Sequence, residues 1–228
     1  MLICVKQSDD YSELSYSNRY MTMNNNTKDK NIRCVLKDTL IQELYNLNNK
    51  TDNKARLFSE FGIDHGDFRI DIITVNGDIH GYEIKSDADS LIRLPEQAEA
   101  YNRVFNKVTL VVGIAHVFEA LFIIPDWWGV KLAKGCSDGS VILRDLREAL
   151  PNPAQDMMSL AKLLWKQEAL DVLETLGASK GVKSKKRDDV YKRLISVADE
   201  SLIQETVIDK LFNRSAWRVD QPLLQYGG

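Results

Sequence analysis

The chain has no long apolar run. Its longest candidate, around Leu121–Ile124, falls far short of the roughly 20 residues that a membrane-spanning helix needs. Residues 1–10 also lack the basic start and extended apolar segment of a secretory signal. Cysteine is scarce: Cys4, Cys34 and Cys136 are odd in number, widely separated and free of C-x-x-C spacing. That pattern argues against a disulfide framework and against a cysteine-held zinc ion. Together these absences predict a protein of the reducing cytoplasm that makes no use of a membrane. Positive charge is short as well. The formal net charge is −3, so any surface for nucleic acid must be local.

What is present suffices for a sizeable core, since 44% of 228 residues are hydrophobic. Residues 1–28 are polar and rich in Asn, Ser, Tyr and Met, and read as a poorly ordered extension. From Asp29 a helical pattern runs through Ile32, Val35, Leu36, Leu40, Leu44 and Leu47. A second, short helix is expected over Ala55–Phe61, with Leu57, Phe58 and Phe61 on its apolar side and Glu60 beside them. Strands at 69–75 and 79–85 follow, then a helix at 94–105, opened by Pro95. Val108–Gly113 reads as a buried strand, residues 116–121 as a helix, and 130–134 and 140–144 as strands. Pro151-Asn152-Pro153 is the expected boundary between an α/β domain (29–150) and a helical C-terminal subdomain (151–228). Helices are expected in the latter at 154–175, 188–198 and 201–213.

The hairpin at 69–85 carries three charges with no packing role: Asp71, Glu83 and Lys85. Period-2 alternation puts Glu83 and Lys85 on one face. Whether Asp71 joins them depends on the turn. A two-residue Asn76-Gly77 turn would pair Val75 with Asp78 and send Asp71 to the other face. A three-residue loop, Asn76-Gly77-Asp78, pairs Val75 with Ile79 and sets Asp71 across from Glu83, with Gly81 leaving space beside the carboxylates. A slip of one residue inverts every side chain, so the functional reading requires the odd loop or a compensating bulge. Facing carboxylates repel unless a cation neutralises them.

Asp71 followed by Glu83-Ile84-Lys85 resembles the motif of the PD-(D/E)XK (restriction-endonuclease-like) nuclease superfamily, with Ile70 in place of the motif's proline. Arg69-Ile70-Asp71-Ile72, Val75-Asn76-Gly77, residues 81–94, Gln97 and residues 125–129 are similar to an uncharacterised bacterial and phage family placed in that superfamily, over about residues 29–220. The resemblance implies an αβββαβ core with a mixed sheet, and Mg²⁺ or Mn²⁺ as cofactor. It implies metal ligands at Asp71, Glu83 and the carbonyl of Ile84, with Glu60 as the acidic residue of the first core helix. It also gives Lys85 a water-positioning role and Gln97 a supporting one. The expected activity is hydrolysis of DNA phosphodiester bonds, with RNA as a further possible substrate. A nuclease in the cytoplasm would need restraint, by a regulatory protein partner or by substrate selectivity. The alternative is a catalytically idle nuclease fold that binds nucleic acid or protein in a phage or mobile element.

Plainer readings stand beside each residue. Asp71, Glu83 and Lys85 could be a solvated cross-strand ion-pair ladder. Glu60 could be merely exposed, and Gln97 could bond backbone or water. Asp87, Asp89, Ser90 and Arg93 could cap the following helix or line the cleft. His65, His80 and His116 are too dispersed for a metal motif. Trp127-Trp128 could pack in the core or stack on bases. Residues 180–193 hold seven basic and two acidic side chains. Lys180, Lys183, Lys185, Lys186, Arg187 and Arg193 there could grip phosphates or form a solvated linker. Arg214, Trp217 and Arg218 extend that character toward the end of the chain.

Overall fold

The computed structural model describes residues 27–48 and 55–214. Seven α-helices and six strands follow in the order α1 (Asp29–Asn48), β1 (Arg56–Ile63), β2 (Phe68–Val75), β3 (Ile79–Lys85), α2 (Leu94–Asn102), β4 (Lys107–Gly113), α3 (Val117–Ile123), β5 (Gly129–Gly135), β6 (Val141–Arg147), α4 (Met157–Ala161), α5 (Lys166–Thr175), α6 (Arg187–Val197) and α7 (Glu200–Asn213). The strands form one mixed sheet in sequential order. The β1–β2, β2–β3 and β5–β6 pairs are antiparallel, while β3–β4 and β4–β5 are parallel. Each parallel pair is bridged by a helix, α2 or α3, because a tight turn cannot return the chain to a parallel start. The expectation of a mixed α/β architecture with C-terminal helices therefore holds.

Helices cover both sides of the sheet. On one face Ile32, Leu36, Leu40 and Leu44 of α1, spaced at helical intervals, pack on Ile72, Tyr82, Ile84 and Val111. On the other, Leu94, Ala98 and Tyr101 of α2 share a cluster with Ile73, Val75, Ile79, Val108, Leu110 and Val112. That cluster continues without interruption into Leu160, Leu173, Val190, Leu194, Ile203, Val207 and Leu211 of the C-terminal helices. The segment expected as a boundary is tied down: Asn152 donates through Nδ2 to the carbonyls of Asn102 (2.7 Å) and Phe105 (2.8 Å).

Several element expectations need correction. Residues 55–61 form no helix; from Arg56 on they belong to β1. Phe58, Phe61 and Ile63 all face the α2 cluster, whereas Leu57 faces α1. The spacing of three between Phe58 and Phe61 imitates a helix, but it arises because Glu60 has a positive φ of 53°, which inverts the phase of the strand. The helix expected over 154–175 is two helices, broken at Lys162–Trp165. Gly81 leaves no open space, since a Cβ there would lie 2.5 Å from Ile70 Cδ1 and 3.1 Å from the Phe105 ring. Most of the N-terminal extension, residues 49–54, Trp217 and Arg218 lie outside the described residues.

Candidate active site

The hairpin takes the three-residue connection. Val75 pairs with Ile79, Thr74 with His80, Ile73 with Gly81 and Ile72 with Tyr82. The ladder stops there, one step short of Asp71 and Glu83. On the other side of β2, Ser59 pairs with Ile72 and Phe61 with Ile70, which brackets Glu60 and Asp71 at facing positions. Ile70 and Ile73 both join the α2 cluster, while Ile72 joins that of α1. β2 thus inverts its phase beside the inversion in β1, and Asp71 sits at that point.

The two carboxylates are consequently held from opposite faces, instead of lying side by side on one. Asp71 Oδ1 accepts from Arg33 Nη2 of α1 at 2.6 Å, and Oδ2 accepts from the backbone N–H of Ile84 at 2.6 Å. The side chain has replaced a ladder acceptor where β2 and β3 part. Glu83 is buried and points toward α2. Its Oε1 accepts from Lys85 Nζ and from Gln97 Nε2, both at 2.7 Å. Its Oε2 lies 2.8 Å from the Tyr101 hydroxyl, which is also 2.8 Å from the Arg69 carbonyl. A phenol has one proton, so it satisfies both acceptors only when Glu83 itself carries a proton.

The electrostatics agree with that geometry. Burial, and then the charge of Asp71, push the Glu83 carboxyl up to about 7, against the opposing pull of Lys85. Burial also raises Asp71, with Arg33 and the Ile84 N–H acting in the other direction. Tyr101 is raised by burial and by Glu83. Burial is thus the main reason that both carboxyls are raised, and Arg33 and Lys85 oppose it without cancelling it.

Sequence reasoning missed three of these groups. Arg33 bonds Glu60 Oε1 at 2.7 Å as well as Asp71, and approaches Asp29 Oδ2 at 3.3 Å. The acidic residue brought in by the first helix is thus Asp29, whereas Glu60 lies on β1, half-exposed. Tyr101 could have been found as the position one helical turn after Gln97; Arg33 leaves no comparable signal. The remaining candidates separate by role. Asp87 fastens the start of α1, its Oδ2 accepting from Thr27 N (2.9 Å) and Oγ1 (2.8 Å), and its Oδ1 from Ala115 N (2.8 Å). Asp89 caps the turn at Ser86, and Ser90 Oγ accepts from Ile92 N at 3.2 Å. Arg93 is the N-cap residue of α2 but makes no side-chain cap. Trp128 is core: fully buried, stacked on Tyr101 and donating to Asn102 Oδ1 at 2.8 Å. His80 is half-buried between Tyr82 and Thr109, and desolvation, aided by Lys107 and Lys131, holds it neutral with a pKa of about 3.

Of the basic cluster, Lys180, Lys183, Lys185, Lys186 and Arg187 are exposed. Lys183 pairs with Glu174, and Arg193 Nε donates to the Ala178 carbonyl at 3.4 Å. None of these six residues belongs to the carboxylate cluster.

Comparison with known proteins adds a lineage. A family model described as bacteriophage P4 protein cII matches residues 25–221. The chain belongs to the phage P4 cII family. Protein cII of Enterobacteria phage P4 is 27% identical over 179 residues, spanning 78% of this chain and 66% of that relative. A solved structure of a protein of unknown function from Silicibacter pomeroyi, SPO1766, aligns over 58% of this chain and 86% of its own at 19% identity, with a TM-score of 0.33. A likeness of that size leaves the architecture to be argued from this chain. The cII family match covers the described sheet and all seven helices, so the carboxylate cluster lies within the family region.

A hard divalent cation prefers oxygen donors and keeps several waters. Among the described residues, no three His, Cys, Asp or Glu side chains are grouped to hold a metal by themselves. Asp71 and Glu83 still offer carboxylate lone pairs beyond those already engaged. Two carboxylates are donors of the type such an ion takes, and Arg33 is the group that it would displace from Asp71.

Proposed function

We propose that this chain is a metal-dependent nuclease that hydrolyses phosphodiester bonds of DNA. The observation that carries the reading is the buried Glu83, bonded by Lys85 and Gln97, with Asp71 close enough to raise its pKa. Isolated buried charges are costly, and a purely structural sheet gains nothing from assembling four polar side chains between two apolar clusters. The order α1-β1-β2-β3-α2-β4 is also the one that the nuclease resemblance implies.

Asp71, Glu83 and the carbonyl of Ile84 would hold Mg²⁺ or Mn²⁺, which supplies an acidified water and offsets charge on the phosphate. Lys85 positions the attacking water and stabilises the pentavalent phosphate with its ammonium. Gln97 and Tyr101 hold the Glu83 carboxylate in place. Arg33, the ligand-free partner of Asp71, either moves to the substrate phosphate or keeps the ion out.

That last property supports the second reading, an idle nuclease fold that binds nucleic acid or protein. In it, the guanidinium shared by Asp29, Glu60 and Asp71 takes the permanent place of a metal.

Plasmid nicking decides between them. The nuclease reading expects Mg²⁺-dependent nicking that falls by at least about a hundredfold in Lys85→Ala, with DNA binding and the unfolding cooperativity retained. Wild-type protein that binds DNA in a salt-sensitive way, yet cleaves no single-stranded, duplex, branched or RNA substrate with Mg²⁺ or Mn²⁺, would establish the idle fold.

A further inference from the structure

A second cleft lies at the same end of the sheet as the carboxylates. It has a volume of about 620 Å³ and opens between the β1–β2 turn and the junction of α4 with α5, with the start of α6 on its far side. Its walls include His65, Lys162, Trp165, Lys166, Arg187 and Tyr191. That volume lies within the range of about 300–1,000 Å³ of small-ligand sites.

The chain is shaped to make this cleft. Asp64 and His65 both have positive φ, 48° and 61°, a strained choice for residues with a Cβ. The turn they form is pinned by Lys162, whose Nζ donates to Asp64 Oδ1 at 2.6 Å, and by stacking of His65 on Tyr191. Tyr191 is fixed in turn by donating to the Leu164 carbonyl at 2.7 Å. Trp165 stands at the break between α4 and α5. Its indole is 45% exposed and its rear is supported by the Arg214 guanidinium, 4.6 Å from the ring centroid.

Cations outnumber carboxylates in the cleft lining, although His65 Nε2 lies 3.8 Å from Asp188 Oδ1 at the start of α6. Lys162 is matched by Asp64, but among the described residues Lys166 and Arg187 have no ion-pair partner. Arg187 also begins the helix that follows the exposed Lys180–Lys186 segment, so the positive surface continues beyond the cleft. In the other direction, Gly62 of the cleft wall pairs across the ladder with Arg69. The Arg69 carbonyl bonds Tyr101, and its exposed guanidinium approaches Glu60 at 3.7 Å. The strand that forms one cleft wall at Gly62 is thus paired with Arg69, whose carbonyl shares the Tyr101 hydroxyl with Glu83.

We infer that this cleft holds one nucleotide of a single-stranded nucleic acid, with its base on Trp165 and its phosphates against Lys166 and Arg187. An aromatic face offered beside two unpaired cations suits an unstacked base, which a duplex does not present. The inference deepens the nuclease reading, because it names the substrate form delivered to the carboxylates, and it rests on that reading for the direction of the strand.

Fluorescence anisotropy of a labelled oligothymidylate, with full-length protein in EDTA, tests the cleft apart from catalysis. Trp165→Ala should weaken single-strand binding about tenfold, while Trp165→Phe restores most of it. Lys166→Glu with Arg187→Glu should weaken binding further and flatten the dependence on salt by about two ions. A duplex of the same length should be insensitive to Trp165→Ala. Unchanged single-strand binding in both variants overturns the inference while leaving Mg²⁺-dependent nicking to stand alone. Equal displacement of oligothymidylate by poly-glutamate, irrespective of Trp165, also overturns it, in favour of a generic anion surface. Binding that depends on Trp165 in a protein unable to cleave retains the cleft and removes the nuclease.

Discussion

Glu83 is the residue whose chemistry the surroundings change most. Its carboxyl titrates near 7 in the folded protein, against 4.5 for an unperturbed glutamate, because it is buried beside Asp71. Between those values the folded chain holds a proton that the unfolded chain has released. The stabilisation from Glu83 is therefore full below about pH 4.5 and is lost as pH rises through about 7. Asp71, raised as well, acts in the same direction. Thermal unfolding between about pH 5 and pH 7.5 should show this fall in the wild type and a flatter profile in Glu83→Gln, which carries no titrating proton. Parallel profiles would mean that Glu83 is not the group responsible. Addition of Mg²⁺ above pH 7 should offset the wild-type fall if the ion binds the ionised pair.

At the scale of elements, the decisive event is the paired inversion of β1 and β2. Gly81, next to it on β3, accepts the Ile70 side chain that the inversion brings over, and a Cβ there would lie 2.5 Å from Ile70 Cδ1. Gly81→Ala should cost about 1–3 kcal/mol in chemical denaturation, and a neutral result would show that Ile70 has another place to go. This region also marks the limit of sequence legibility. Strand alternation made the two hairpin strands readable, but not their register: Asn76-Gly77 by itself invites a two-residue turn, and only the need to bring Asp71 across from Glu83 favoured the three-residue loop that pairs Val75 with Ile79. The long α1 and the helices near 188–213 were equally readable from periodicity. β1 was not, since a phase inversion gives the same spacing as a helical turn. Arg33 was hidden for a different reason: its role follows from the docking angle of α1 on the sheet, and no local pattern encodes that angle.

Across the whole molecule, Arg56 joins the first strand to the last helix. Its Nη1 donates to the carbonyls of Leu211, Phe212 and Arg214, with the Leu211 contact at 3.5 Å and that to Arg214 at 2.8 Å. The guanidinium thus satisfies the free carbonyl end of α7 and opposes its negative dipole. Arg56→Ala should destabilise the chain by roughly 1–2 kcal/mol and accelerate amide exchange in α7 ahead of α1. Uniform acceleration would show instead that the sheet and helices open together, as their shared cluster permits. The strand inversion has a consequence at this scale too. An ordinary sheet insulates its two faces, but at Asp71 and Glu83 this one does not: a guanidinium from the α1 side and an amide and phenol from the α2 side converge on neighbouring carboxylates. Whatever moves α1 alters a charge felt on the opposite side, so the sheet acts there as a junction through which either face can report on the other.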